Sequence, residues 1–112
     1  MFVMKINFSS NKLQKTFNSE KELKRQYGSE QAKKIKTRIG VLKAAANLAE
    51  VPVQKPERCH QLEGNRKNEF AVDLKHPFRL IFRPEILSKD GVYDLTEITS
   101  IIITAVEDYH GN

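Results

Sequence analysis

Residues 106–110 read Val106-Glu107-Asp108-Tyr109-His110, and the last three can all hydrogen-bond or move protons. They follow directly on an apolar run, Ile98 to Val106, that would hold them in place. An imidazole titrates near pH 6.5 in model peptides, so His110, or His60 further upstream, suits proton transfer at about neutral pH. Arg79, set inside Phe78-Arg79-Leu80-Ile81-Phe82, could clamp a phosphate through paired donors and stabilise developing charge. Tyr109 could stack on a base or orient a phosphate, and Asp108 could orient a histidine. Arg66 and Lys67 precede the run Phe70-Ala71-Val72-Asp73-Leu74 and add positive charge beside it. RNA cleavage by the RNA's own 2′-hydroxyl needs this set of groups. One takes the hydroxyl proton, cations surround the pentacoordinate phosphate, and an acid protonates the departing 5′ oxygen.

Other chemistries find less support. There is no Walker loop, no glycine-rich dinucleotide fingerprint and no G-x-S-x-G. Cys59 beside His60 makes two of the four ligands a zinc site needs, and a lone cysteine is expected to be buried and inert. Structural roles compete for the same residues. Arg79 could pair with Asp73 across a hairpin, His60 could cap a helix or pack beside Tyr109, and His76 before Pro77 reads as a turn residue.

The elements that must position these groups are legible in outline. Met4, Ile6 and Phe8 alternate with Val3, Lys5 and Asn7, the period of a half-buried strand running over residues 2–8. Leu13, Phe17, Leu23 and Tyr27 fall at helical intervals, and Ser19 followed by Glu22 is a capping box. Gly28 should close that helix and Ser29 should cap the next. From Glu30 to about Leu48, apolar residues recur at three- and four-residue steps. Lys33, Lys34, Lys36, Arg38 and Lys43 fill the remainder, either as a solvated face or as a phosphate-contacting one. Two prolines make residues 51–56 a linker. Strands are expected over 69–74 and 78–82, joined by Lys75-His76-Pro77, with the longest strand between Asp94 and Val106. The order predicts an α+β fold, a small antiparallel sheet of the N-terminal strand plus three C-terminal strands, packed against the N-terminal helices.

With 112 residues, the chain is expected to form one domain, 1–112. Its net charge of +5 suits a polyanionic or acidic partner. No stretch approaches the roughly 20 apolar residues of a membrane span, and residues 1–8 lack the apolar core of a signal peptide. A soluble, cytoplasmic protein is the expectation.

His60-x-Leu62-x-Gly64, then Arg66, the two apolar runs and the terminal Asp108-Tyr109-His110 resemble, in that order, the HigB-like branch of the RelE/ParE toxin superfamily. The resemblance covers about residues 58–110 by motif and the rest by element order. It implies a bacterial toxin that cuts mRNA at the ribosome without a metal or other cofactor. It also implies silencing by a cognate antitoxin, of the helix-turn-helix DNA-binding kind. It places His60, Arg79, Asp108, Tyr109 and His110 at catalytic positions and Arg66 at a basic position on the site's edge; Lys67 beside Arg66 would add phosphate-binding charge. Glu63 departs from the pattern, since relatives often carry lysine there. A gyrase inhibitor of the ParE kind, or a catalytically weakened module that only binds its antitoxin, are the competing readings.

Overall fold

The computed structural model describes residues 3–109; the expected roles of Phe2 and His110 fall outside them. In chain order the elements are β1 (Lys5–Phe8), α1 (Asn11–Phe17), α2 (Glu20–Tyr27), α3 (Ser29–Ala44), β2 (His60–Gln61), β3 (Phe70–Asp73), β4 (Phe78–Pro84) and β5 (Ser100–Asp108). Each short helix begins where a serine side chain satisfies a backbone donor. Ser10 accepts from the Leu13 N–H at 3.1 Å and Ser19 from the Glu22 N–H at 3.2 Å.

Gly28, at φ +84°, does two jobs. It donates to the Lys24 carbonyl to close α2 and occupies the capping position of α3, so Ser29 is the first helical residue and does not cap it. Only glycine adopts this backbone at little cost, which lets a single residue separate two helices. α3 stops at Ala44, four residues earlier than the periodicity suggests, because Ala45 is extended and its carbonyl accepts from the Met4 N–H. Leu48–Glu50 then form a separate 3-10 turn capped by Asn47.

The five strands form one sheet in the order β1-β5-β4-β3-β2. The α+β class is as expected, but the sheet is mixed. β1 runs parallel to β5, Lys5 opposite Ser100 and Phe8 opposite Ile103. Three helices and strands β2 to β4 lie between them in the chain, and so long a connection permits the parallel pairing that a hairpin forbids. β2, two residues for which the sequence gives no strand signal, adds an antiparallel edge on β3. The last strand starts at Ser100, inside the expected stretch, and runs on to Asp108, while the Asp94 side chain caps a 3-10 turn at Leu95–Glu97.

Strand alternation sorts side chains onto two faces. On one face Phe70, Val72, Leu80, Phe82, Ile101 and Ile103 meet Leu23 of α2 and Ala32, Ile35 and Leu42 of α3. Phe70 and Phe82 stack at 6.0 Å between ring centres, so these aromatics are core. Among the described residues the opposite face carries no α-helix. Ala71 and Ile81 are buried there beneath Leu62, with Ala105 beside them, as the segment 61–69 folds over the sheet. Between β4 and β5 the register shifts at Ile81 and Phe82, leaving Thr104 as an extra residue whose hydroxyl donates to the Ile81 carbonyl.

Candidate functional site

Three strands bring Asp73, Arg79 and Glu107 side by side. Arg79 stands opposite Asp73 on β3 and opposite Glu107 on β5. Two residues along β3, Ala71 faces His60 of β2, which places the imidazole on the same helix-free face. His60, Glu63, Arg66 and Arg79 line a shallow depression of about 370 Å3 together with Gln61 and Leu62. Cys59, one residue before His60, points the other way into the core and is 7% exposed. Burial pushes its thiol up to about 12, which excludes a thiolate nucleophile near neutrality.

Arg79 does not pair with Asp73. Its guanidinium donates to Glu107 Oε1 at 2.9 Å, while both oxygens of Asp73 are taken by Arg58, at 2.8 and 2.9 Å. The alternative structural role of Arg79 was therefore right in kind and wrong in partner. A carboxylate sits next to Arg79 on each neighbouring strand, and the register alone cannot choose between them. Arg79 also lies under the Tyr109 ring, its guanidinium carbon 5.3 Å from the ring centre. Its Nε–H is buried and has no acceptor among the described residues.

Arg66 is more deeply engaged than an edge residue. It donates to both oxygens of Glu69, at 2.9 and 2.8 Å, and to both oxygens of Glu107, at 2.7 and 2.9 Å. Hydrogen bonds from Arg66, strengthened by Arg79, hold the Glu107 carboxyl down at about 2. An unfolded glutamate titrates near 4.3. This carboxylate therefore contributes stability that is fully present above about pH 4.3 and is lost as the pH falls towards 2. Glu107→Gln is expected to flatten the decline of melting temperature across that window, measured by thermal melts from pH 5 to pH 2.

The remaining expected residues divide. Tyr109 donates its N–H to the Pro77 carbonyl at 3.2 Å, and its hydroxyl lies 3.3 Å from His76 Nδ1. His76 is thus more than a turn residue, since its ring meets Tyr109 edge-on at 5.9 Å. Asp108 pairs with Phe78, a core-facing position, so it is turned to the opposite face from Glu107 and His60. The structure does not bring it to the depression. Lys67 is exposed and its stem runs against Gly91 rather than lining the depression. His110 lies outside the described residues. On α3, Lys33, Lys34, Lys36 and Lys43 are exposed, but Arg38 is buried at 4% and donates to the carbonyls of Asp73 and Pro56.

Sequence reasoning missed Arg58, Glu69 and Glu107. Glu107 was within reach of inspection, because two-residue alternation from Ala105 puts it on the helix-free face beside Arg79. Arg58 gave no such signal, lying beyond any regular element.

No curated protein and no solved structure matches the chain. A family model does, over residues 6–93, described as the RelE-like toxin of the type II toxin–antitoxin system HigB. That span takes in His60, Arg66 and Arg79 and stops short of Asp108-Tyr109-His110. With more than half of its length matched, on a mixed α+β sheet with helices on one face, the chain belongs to the HigB-like family of type II toxins.

Proposed function

We propose that this toxin is a ribosome-dependent endoribonuclease that cuts mRNA through the RNA's own 2′-hydroxyl. The observation that carries the reading is the setting of Arg79. Its guanidinium is fixed by Glu107 and Tyr109 and borders the same depression as His60 and Arg66. A phosphate diester in that depression meets cations on one side and an imidazole on another. His60 takes the proton from the 2′-hydroxyl, and the 2′ oxygen attacks phosphorus. The 5′ oxygen leaves with a proton from an acid, for which His110 is the candidate. The products are a 2′,3′-cyclic phosphate and a 5′-hydroxyl end. Arg79 and Arg66 stabilise the charge on the phosphate, and Tyr109 positions the nucleotide. Asp108 orients His110, and Lys67 contacts phosphate outside the depression. Exposed lysines on α3 grip ribosomal RNA, so association weakens steeply with salt.

As a member of a type II system the toxin has a cognate antitoxin; we take it to be a helix-turn-helix DNA-binding protein. A weakened, antitoxin-binding module is the second reading. Glu63 favours it by lining the depression, as does the cancellation of Arg66 by Glu69 and Glu107.

Induction in bacteria followed by mapping of mRNA 5′ ends tests the reading. Wild type should produce breaks confined to translated messages, and His60→Ala should produce none. Growth arrest with intact messages and trapped gyrase–DNA complexes would point to gyrase. No arrest, with antitoxin binding retained, would leave the binding module.

A further inference from the structure

His60 Nδ1 lies 2.7 Å from the backbone carbonyl of Arg58. A carbonyl can only accept, so Nδ1 carries the hydrogen, and the bare nitrogen of the neutral ring is Nε2. An orienting bond of this kind sets which ring nitrogen is available for chemistry.

That carbonyl is held with unusual firmness. Arg58 has φ +46°, in the left-handed region that a residue with a side chain rarely occupies. Such a conformation persists only where its surroundings determine it, and several bonds do so here. The Arg58 N–H donates to the Gln54 carbonyl at 2.9 Å, and the Cys59 N–H to the Pro52 carbonyl at 3.0 Å. The Arg58 guanidinium grips both oxygens of Asp73. The Asp73 N–H donates back to the Glu57 carbonyl at 2.8 Å. Beneath them, buried Arg38 of α3 donates from Nε to the Asp73 carbonyl at 2.6 Å and from its terminal nitrogen to that of Pro56 at 3.3 Å. The segment before β2 is thereby fastened to the end of β3, next to Arg79.

We propose that Arg58 and Asp73 form a positioning clamp that fixes the tautomer of His60 and presents its Nε2 as the general base. The clamp rests on the nuclease reading above, and it names which nitrogen takes the 2′-hydroxyl proton. Arg58 and Asp73 act through His60; neither needs to touch RNA.

The test uses full-length protein labelled with 15N-histidine. Long-range 1H–15N correlation reads the tautomer of the neutral His60 ring, and single-turnover cleavage of ribosome-bound mRNA reads the rate. Two variants are compared, Asp73→Asn and Arg58→Gly, the latter because glycine accepts the +46° backbone without the ion pair. Both are checked for retained fold by their melting transitions. Wild type should carry the hydrogen on Nδ1. Both variants should shift population to the Nε2–H form and lose about tenfold or more in rate with KM unchanged, part of the roughly 10²–10⁴-fold that a positioned base supplies. An Nε2–H ring in the wild type overturns the proposal, as do folded variants that keep the wild-type tautomer. A shifted tautomer at undiminished rate overturns the role in catalysis. A wild type with the Nδ1–H ring that cuts no RNA overturns the nuclease reading instead, so the two failures appear in different signals.

Discussion

Replacing Arg79 by alanine is expected to lower cleavage of ribosome-bound mRNA by about 10²–10³-fold, the loss typical of removing one donor aimed at developing charge. The protein should stay folded. Glu107 keeps its bonds to Arg66, so deleting Arg79 does not strand the carboxylate. Arg79→Lys should recover little, because an ammonium cannot reach Glu107, underlie Tyr109 and present parallel donors at once. Single-turnover rates for the three proteins, with melting curves alongside, check the claim. If Arg79 served only as a structural ion pair, the alanine variant would melt earlier and still cut at the wild-type rate.

Phe82→Ala is expected to act in the opposite manner, on stability first. Phe82 is fully buried, stacks on Phe70 and stands opposite Ile103 in the register. Truncating such a ring costs about 3–5 kcal/mol in lost burial and a residual cavity. That is a large share of the roughly 5–15 kcal/mol by which small domains are stable. The urea midpoint should fall with an unchanged slope. Activity should fall only in proportion to the unfolded fraction, because Phe82 faces the helices while Arg79 faces the depression. Together the two variants separate the two faces of β4, one built for packing and one for charge.

Residues with a strong local signal were readable from the sequence. The apolar runs around Phe70 and Phe82 gave the paired strands, and Ser19 with Glu22 gave the start of α2. The basic stretch of α3 was readable as a helix but not in its facing. Arg38 sits at a core position among Ala32, Ile35 and Leu42, where the charge is tolerated because two backbone carbonyls receive it. Direction of pairing was illegible too. Nothing in Lys5–Phe8 distinguishes a parallel from an antiparallel neighbour, since that choice is made by the path of the three helices and three strands that lie between β1 and β5.

The site was legible as residue types and illegible as partners. His60, Arg66 and Arg79 do share one depression. That Arg79 turns to Glu107 and not to Asp73 depends on Arg58, a residue outside any strand whose carboxylate partner is fixed by a left-handed backbone. Such choices are tertiary, and no spacing along the chain encodes them.

The most direct measurement is the fate of a defined message on programmed ribosomes mixed with purified toxin, scored against the same message free in solution. The account predicts cleavage of the ribosome-bound RNA alone, without added divalent metal beyond what ribosomes need. The upstream fragments should end in 2′,3′-cyclic phosphate and the downstream ones should begin with 5′-hydroxyl. Intact message on the ribosome, or fragments bearing 5′-phosphate, would contradict it.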